Sequence, residues 1–385
     1  MAERLLIVVN VDWFFISHRL PIALEAQRQG FEVHVAMGRS KEGLAMHEYP
    51  FKVHSYDWKR SRASILDEIR MFMDLYRLMR RIQPSILHLV TIRPVLFGGI
   101  AARIARLPSV VVAISGLGTT FVAKGVRGTL RRLVAGILYR FALKQRSLKV
   151  IFQNTEDQKI LSGIASLRPD QCVLIRGSGV DLLAYGPRVR KSGRFTVLMA
   201  SRLIREKGVQ EFLEAATILS LRNVDCRFLL AGEIDPGNPN SLTKTDLEKI
   251  RRSVNVEYLG QLDNIANTIL DSDVVVLPSY YGEGLPKILI EAAASGRAII
   301  TTDMPGCRDA IIPNESGILV PPRNAIALAD SIQALIHDPA RVRRFGRAGR
   351  KLAERDFDIR QVVASHLEIY RELSSDSAMS GMVDP

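Results

Sequence analysis

Residues 281–296, YGEGLPKILIEAAASG, are the most informative segment of this chain. The run just before it, DVVVLP at residues 273–278, is short, apolar and β-branched, and turn residues follow it, which predicts a strand. Pro286 suits the first turn of a helix, the segment ILIEAAA continues that helix, and a glycine ends it. Glu283 is therefore predicted on a loop at the carboxyl end of a strand, and Glu291 inside the helix that follows.

The junction between these two glutamates combines the features that a sugar nucleotide needs. The first N–H groups of a helix have no partner within the helix, and the helix dipole is positive there, so a helix start suits a phosphate group. Carboxylates on either side accept hydrogen bonds from hydroxyl groups. The junction therefore predicts an anion site flanked by acceptors for sugar hydroxyls.

A second stretch, ASRLIREKGVQEFLEA at residues 200–215, repeats this arrangement with cations. It follows the apolar run FTVLMA and opens a helical pattern, so Arg202 and Lys207 are expected at a strand end beside a helix start. Arginine offers a planar fork of donors and lysine a point charge, and both suit diphosphate oxygens. The alternative is a pair of exposed basic side chains on a loop. The presence of Glu283 and Glu291 in the same chain favours diphosphate binding.

Both stretches resemble the retaining family 4 glycosyltransferases of GT-B fold, through the Glu-x7-Glu motif EGLPKILIE and the Gly/Ser-Arg-x4-Lys-Gly element. The resemblance implies that Glu283 bonds to hydroxyls of the transferred sugar and Glu291 to the ribose hydroxyls. It further implies that Arg202 and Lys207 stabilise the leaving diphosphate. The other donor-binding residues that it implies are Gly284, Leu285, Pro286, Lys287 and Ile288 at the diphosphate, and Leu262 beside the base. Lys287 could equally be a solvated side chain.

Short apolar runs alternate with helical patterns along almost the whole chain of 385 residues, with about six strand candidates in each half. Repeated βα units predict parallel sheets covered by helices on both faces. A Gly-, Pro- and base-rich seam at residues 185–193 separates the halves. The expected fold is α/β of the GT-B kind, with two Rossmann-like, doubly wound domains facing across a cleft.

The expected domain limits follow from this division of the chain. Residues 1–185 form the acceptor-binding domain, and residues 186–358 form the domain that binds the nucleotide sugar. By the family resemblance, residues 359–374 form a helix that crosses back onto the first domain. Residues 375–385 are expected to be a disordered tail.

The net charge of +13 is carried by the first domain, where residues 1–185 contain 27 Lys and Arg against 14 Asp and Glu. The excess is greatest at residues 124–149, which contain eight basic residues, no acid, and apolar residues at helical spacing. One interpretation is a solvated helix that packs its apolar face on the core, and a compatible one is a surface that contacts anionic lipid headgroups. Nucleic acid is not expected as a partner, because no nucleic-acid-binding motif accompanies the basic residues.

The acceptor is expected to contact the loops that follow two strands of the first domain. The loop after the first strand supplies Asp12, and His18 and Arg19 are predicted to begin a helix where an acceptor phosphate binds. The loop SGLGT at residues 115–119 resembles the glycine-rich acceptor loop of a bacterial subgroup that acts on lipid-linked sugars. It supplies Ser115, Gly116 and Gly118.

Several other classes of site and protein are disfavoured. The three cysteines are few, widely spaced and without a CxxC motif, which indicates reduced thiols. Asp271 and Asp273 form an Asp-x-Asp pair, but before a strand rather than after it, so no metal or other cofactor is expected. Without an 18-residue apolar run or a cleavage signal, the chain is expected in the cytoplasm, peripherally bound to the inner face of the membrane.

The family resemblance implies transfer of a sugar from a UDP-sugar with retention, the resemblance to the bacterial subgroup implies a sugar of N-acetylhexosamine type, and the basic first domain indicates an acceptor with phosphate, such as a saccharide on a polyprenyl diphosphate. The expected setting is O-antigen or similar bacterial polysaccharide synthesis. Two alternatives are a GT-B epimerase acting on UDP-sugars and a non-catalytic, membrane-associated scaffold. The scaffold would not require the set Arg202, Lys207, Glu283 and Glu291, and the epimerase would need no lipid-linked acceptor.

Overall fold

A computed structural model of the chain describes residues 2–40, 46–59, 63–118, 126–188, 193–235 and 237–380, without the side chains of residues 47, 126–131 and 376–380. The chain divides into two compact units. The first unit comprises Met1–Ser178 and Arg360–Pro385, and the second comprises Gly179–Ile359. The boundary after Ser178 lies somewhat before the one expected from the seam at residues 185–193.

The first unit is built on a parallel sheet of seven strands in the order β3-β2-β1-β4-β5-β6-β7. The strands are β1 (Arg4–Val9), β2 (Glu32–Gly38), β3 (Lys52–Tyr56), β4 (Ile86–Val90), β5 (Ser109–Ile114), β6 (Ser147–Phe152) and β7 (Cys172–Leu174). The sequence patterns predict six of them. They miss β7, which has three residues, lies at the sheet edge and is not fully buried, so that it lacks an apolar run.

The helices of the first unit cover both faces of this sheet. They are α1 (Asp12–His18), α2 (Leu20–Arg28), α3 (Ile65–Ile82), α4 (Gly99–Ala105), α5 (Val126–Ala142) and α6 (Thr155–Ala165). Successive side chains of a strand point to opposite faces, so Leu6 and Val8 of β1 join the core beneath α3 to α6, while Leu5 and Ile7 join the core beneath α1 and α2.

The second unit is built on a parallel sheet of six strands in the order β10-β9-β8-β11-β12-β13. The strands are β8 (Phe195–Ala200), β9 (Cys226–Ala231), β10 (Glu257–Gly260), β11 (Val274–Leu277), β12 (Ala298–Thr302) and β13 (Gly317–Val320). The helices are α7 (Val209–Leu221), α8 (Lys244–Arg251), α9 (Ile265–Leu270), α10 (Lys287–Ala294), α11 (Ala325–His337) and α12 (Pro339–Asp356). All six strands coincide with predicted runs.

The last helix, α13 (Ile359–Ser380), returns to the first unit, as the sequence predicts. Its residues Val362 and Tyr370 lie in the core beneath α1 and α2, and Nδ1 of His88 on β4 lies 2.6 Å from the Tyr370 hydroxyl. The helix continues past residue 374, where the sequence analysis places the start of a disordered tail. Residues 381–385 of that tail lie outside the described part of the chain.

In the described part of the chain, no helix combines the length and the apolar character that crossing a membrane requires.

Candidate active site

The order of the second sheet reverses between β8 and β11, which pair directly through Val274 and Val197. In an open parallel sheet, the loops at the carboxyl ends of the two strands at such a point diverge and leave a crevice for a ligand. Arg202 and Lys207 follow β8, and Glu283 follows β11. The topology therefore brings the cationic and acidic motifs to one edge of one sheet.

Lys207 and Glu283 are in direct contact, since the lysine Nζ binds Oε1 of the glutamate. The two side chains are only 13% and 12% exposed, so this ion pair is largely shielded from water. Ser279, buried at the end of β11, donates a hydrogen bond of 3.0 Å to the same Oε1. The Lys207 charge and the Glu283 carboxylate are thereby fixed in position before any ligand arrives.

Gly208 allows the loop after β8 to lie close enough to the loop after β11 for Lys207 to contact Glu283. The short 3₁₀ turn Arg205–Lys207 ends at Gly208, whose φ of 80° is in the left-handed region. A Cβ atom at this position would collide with the backbone carbonyl of Pro278, just after β11. In the Lys-Gly pair of the sequence motif, the lysine therefore supplies the cation. The glycine, which has no side chain, allows the close approach that brings this cation to Glu283.

Arg202 is held by a different partner. Its guanidinium lies 2.7 Å from Oδ2 of Asp235, a buried carboxylate in the loop after β9. The Arg202 side chain itself is well exposed, so its fork of donors is accessible at the same sheet edge.

Glu291 is buried in α10, and burial raises the pKa of its carboxyl. Lys287, one turn earlier, brings its Nζ to 3.6 Å from Oε1, and the Tyr185 hydroxyl forms a hydrogen bond with the carboxyl. Both partners stabilise the ionised form and so oppose the effect of burial. Lys287 is therefore an ion-pair partner of Glu291, and its binding of phosphate stays a prediction.

The start of α10 stands between the two glutamates, as the sequence predicts. Pro286 is the N-cap rather than a residue of the first turn, and α10 begins at Lys287. Gly284 and Leu285 are buried in the preceding loop, and Ile288 lies in the first turn. Leu262 is half-buried in the loop after β10.

The segment MPGCRD at residues 304–309 lies beside the same loop. Gly306 has a φ of 79°, and a Cβ atom there would collide with the carbonyl oxygens of Glu283 and Gly284. Cys307 is fully buried, and burial, with a smaller contribution from the Glu283 charge, raises the pKa of its thiol to about 12. A thiol in this state is not a nucleophile at neutral pH.

In the first unit, Asp12 is buried and has three hydrogen bonds. Its Oδ1 accepts the Trp13 N–H at 2.7 Å, and its Oδ2 accepts the Ser40 N–H at 3.0 Å and hydroxyl at 2.9 Å. These bonds tie the start of α1 to the loop after β2. Ser115 follows β5, and Gly116 and Gly118 adopt φ values of 103° and 63°, which glycine accommodates readily.

The prediction that His18 and Arg19 begin a helix is correct for Arg19, which is the N-cap of α2, and wrong for His18. His18 is the last residue of α1, and its ring stacks on Phe14 with the centroids 4.2 Å apart. Arg19 is at the junction with α2 and is only 2% exposed. Burial lowers the pKa of its guanidinium to about 10, and its side chain donates to the His18 carbonyl at 2.9 Å. The separate helix α1, ahead of α2, was not predicted.

The two aspartates of the Asp-x-Asp pair have structural partners. Asp273 Oδ2 accepts the Thr196 N–H at 2.7 Å, and Asp271 Oδ1 lies 2.7 Å from the Arg188 guanidinium. Within the described residues, no cluster of three or more His, Cys, Asp and Glu side chains is arranged to hold a metal ion. Independence of metal ions stays a prediction.

Three residues that support the site were not predicted from the sequence: Ser279, Asp235 and Tyr185. Ser279 directly follows the DVVVLP run, and a polar residue at the carboxyl end of a predicted strand is a usable signal. Asp235 and Tyr185 are in loops far along the chain from their partners, so no local pattern could have linked them.

Two family models match the chain and together span most of it. Residues 187–352 match glycosyl transferases group 1, and residues 4–154 match the glycosyl transferase 4-like model. The first of these segments holds the ion pair of Lys207 with Glu283, and the second holds β1 to β6 of the first sheet.

Relatives and a solved structure agree with these models. An N,N'-diacetylbacillosaminyl-diphospho-undecaprenol alpha-1,3-N-acetylgalactosaminyltransferase from Campylobacter jejuni is 27% identical, over 84% of this chain and 89% of that protein. A UDP-Gal:alpha-D-GlcNAc-diphosphoundecaprenol alpha-1,3-galactosyltransferase from Escherichia coli is 28% identical, over 67% of each chain. The structure of sucrose-phosphate synthase from Thermosynechococcus elongatus superposes with a TM-score of 0.79 and 20% identity, over 97% of this chain and 100% of that one.

The sheet orders, the motif positions and the matched models all lead to one assignment. Each unit of the chain matches a glycosyltransferase model, the first unit the glycosyl transferase 4-like model and the second the group 1 model, and the fold is GT-B.

Proposed function

We propose that this glycosyltransferase moves a sugar of N-acetylhexosamine type from a UDP-sugar to a saccharide on a polyprenyl diphosphate, with retention, in synthesis of a bacterial surface polysaccharide such as O-antigen. The observation that carries the donor half is the shielded contact of Lys207 with Glu283 near the start of α10. The acceptor half is supported by the names of two relatives, both of which describe saccharides joined to undecaprenol through diphosphate. The UDP donor is supported by the second of these names.

In this proposal the second unit binds the nucleotide sugar. Lys207, Arg202 and the first turn of α10 bind the diphosphate, and Glu283 bonds to hydroxyls of the transferred sugar. Glu291 bonds to the ribose hydroxyls, and the loop at Leu262 meets the base. Because the cations and the helix dipole supply positive charge, the reaction needs no metal ion or other cofactor.

The bond changes follow from the chemistry of the two substrates. The acceptor hydroxyl attacks the anomeric carbon from the face that the diphosphate leaves, and its proton passes to an oxygen of the leaving phosphate. As the new C–O bond forms, the anomeric C–O bond breaks and charge develops on UDP. Preorganised donors at such a charge are worth about 3 kcal/mol each in the transition state.

The first unit carries the features that suit a lipid-linked acceptor. On α5 and the neighbouring α4, five large apolar side chains are well exposed: Ile104, Leu133, Val134, Ile137 and Phe141, named here the α5 patch. Three of them recur at intervals of four residues and so form one row on the helix. Exposed apolar groups of this size usually mark a docking surface.

The positive charge around the α5 patch favours an anionic lipid bilayer as the surface that the patch contacts. Arg132, Arg140 and Lys144 are exposed on and just after α5, and the Arg103 guanidinium lies 4.3 Å from the centre of the Phe141 ring. No acidic residue occurs between Asp74 and Glu156. An apolar row rimmed by cations matches the interface of a membrane with anionic headgroups. We place the enzyme at the inner face of the cytoplasmic membrane. The basic side chains at Arg127 and Arg131, noted in the sequence, lie outside the described side chains.

The test is a transfer assay. The enzyme is incubated with each of several labelled UDP-sugars and with membrane lipids that contain polyprenyl-diphosphate saccharides, with and without a chelator. We expect label from one N-acetylhexosamine donor in the lipid fraction, released by mild acid, unaffected by the chelator and absent with Glu283→Ala.

Two outcomes would contradict the proposal. One is transfer from no sugar nucleotide, with the parent as inactive as Glu283→Ala. The other is conversion of a UDP-sugar, or release of free sugar, at an undiminished rate when the lipid fraction is left out, which would favour an epimerase.

A further inference from the structure

Three strands of the first sheet end in polar side chains that lack partners. Oδ1 of Asn10, Oγ1 of Thr91 and Oγ of Ser115 are buried atoms with no hydrogen-bond partner in the described part of the chain. Asn10 directly follows β1, Thr91 directly follows β4, and Ser115 directly follows β5. The glycine-rich loop at residue 115 was predicted to meet the acceptor, but neither Asn10 nor Thr91 was.

The strand register places these residues on three adjacent strands at the carboxyl edge of the sheet. β1, β4 and β5 are consecutive in the sheet, with Val8 opposite Leu89 and Val90 opposite Ala113. Asn10 and Thr91 are each two residues beyond the first of these pairs and so correspond to each other, and Ser115 lies one residue beyond the position on β5 that corresponds to Thr91. Neighbouring strands are about 4.8 Å apart, so Asn10 and Ser115 lie on strands about 10 Å apart with Thr91 between them, a span that suits a saccharide. The sheet order also reverses between β1 and β4, the place where parallel sheets bind ligands.

The energetics of folding do not explain this arrangement. Leaving a buried polar atom without a hydrogen bond is unfavourable, and here three such atoms occur together. Thr91 has a φ of 71°, which is strained for a β-branched residue. Strain and missing partners at one sheet edge are typical of a site that is completed by a ligand.

We propose that Asn10, Thr91 and Ser115 bind the saccharide of the lipid-linked acceptor, through its hydroxyl and acetamido groups. This inference rests on the proposed function and assigns part of its substrate. The chemistry distinguishes the saccharide from the diphosphate. Oδ1 of Asn10 can only accept a hydrogen bond, and an ionised diphosphate has no hydrogen to donate. Sugar hydroxyls both donate and accept hydrogen bonds, so they can pair with the hydroxyls of Thr91 and Ser115 and with the amide oxygen of Asn10.

The test compares two kinds of probe. The first kind carries a sugar joined through diphosphate to a short prenyl chain, and the sugar is N-acetylglucosamine, N-acetylgalactosamine or glucose. The second kind is the same prenyl diphosphate without a sugar. Binding of each is measured with the full chain and with Asn10→Ala, Thr91→Val and Thr91→Ser.

Thr91→Val keeps the branched shape and the strain but removes the hydroxyl, whereas Thr91→Ser keeps the hydroxyl. We expect the parent to prefer one saccharide-bearing probe. Asn10→Ala and Thr91→Val should each weaken that binding about tenfold, without changing binding of the bare prenyl diphosphate or the KM for UDP-sugar. Thr91→Ser should bind close to the parent. Ser109→Ala, at the opposite end of β5, where its hydroxyl donates to the Leu373 carbonyl, is the structural control and should not change the preference.

Two results would overturn the inference while leaving the proposed function intact. One is a parent enzyme that transfers sugar yet binds no saccharide-bearing probe better than the bare one. The other is an equal loss on both probes in Asn10→Ala and Thr91→Val. Failure of the proposed function would instead appear as no transfer from any UDP-sugar.

Discussion

Glu291 is a single buried residue whose carboxyl makes the folded protein less stable at neutral pH. Its carboxyl is buried, and burial raises its pKa although Lys287 and Tyr185 favour the ionised form. A carboxyl whose pKa is raised in the folded state makes the protein less stable as the pH rises above the unfolded value near 4.5. The ionised group is therefore unfavourable for folding at neutral pH, which indicates a role in binding.

We predict that Glu291→Gln will raise the thermal unfolding temperature and weaken UDP binding. The amide has the same shape but no charge to desolvate, so the gain in unfolding temperature over the parent should be larger at pH 8 than at pH 5. Measurement of unfolding at both pH values, with calorimetry of UDP binding, checks this. A variant that is destabilised equally at both values would contradict the assignment of a strained carboxylate.

The site residues differ in how far the sequence could predict them. Arg202, Lys207 and Glu283 follow short apolar strands in recognisable motifs, and the structure places them at the predicted sheet edge. Their partners were not predictable, because the ion pair of Lys207 with Glu283 depends on which strands are neighbours, and periodicity gives no strand order. The burial of Arg19 was not predicted, because a charged residue at a helix boundary usually faces solvent.

At the level of elements, the site depends on close contact of two loops at Gly208. This residue combines a left-handed φ of 80° with a position where a Cβ atom would meet the Pro278 carbonyl. Gly163 in α6 is a matched contrast, because it is helical and a Cβ atom there would meet nothing within 4 Å.

We predict that Gly208→Ala will lower the free energy of unfolding by about 2 kcal/mol or more, because it adds backbone strain and a collision. It should also weaken UDP binding, since Lys207 must move with the loop. Gly163→Ala should instead stabilise the protein by about 0.5–1 kcal/mol, because alanine is the better helix former. Denaturant unfolding of both variants, with UDP titration, checks the pair. Equal effects of the two substitutions would rule out this packing role.

The elements themselves were largely predictable from periodicity. The twelve apolar runs are all strands, and α10 and α7 begin next to the predicted motifs. The short edge strand β7 and the division between α1 and α2 were not predicted, since each depends on tertiary contacts that a window of sequence does not contain.

At the level of the whole molecule, the charge and the exposed apolar groups are concentrated in the first unit. The second half of the chain is neutral, with 26 basic and 26 acidic residues. Exposed apolar side chains also occur there, and Ile326 on α11 is 60% exposed, the same fraction as Ile137 in the α5 patch. Because Ile137 and Ile326 are equally exposed, substitution of each one distinguishes an effect of membrane contact from an effect of changing any exposed apolar side chain.

We predict that the enzyme floats with vesicles containing anionic lipid and that Ile137→Glu strongly reduces flotation, because a carboxylate in the α5 patch opposes both apolar insertion and headgroup attraction. Ile326→Glu should float like the parent. Arg132→Glu with Arg140→Glu should weaken flotation most at low salt. Flotation that is unchanged in Ile137→Glu, or reduced equally in Ile326→Glu, would reject the α5 patch as the contact.

In our proposal, the cations and the helix start of the second unit bind the diphosphate of a nucleotide sugar. Calorimetric titration of UDP into the parent, Lys207→Met and Lys244→Met measures this binding, with Lys244 as the control because it is an exposed lysine at the start of α8 in the same unit. We predict saturable binding to the parent, unchanged binding to Lys244→Met, and a loss of at least about tenfold in Lys207→Met. Absence of UDP binding to the parent, or equal affinity in Lys207→Met, would contradict the claim.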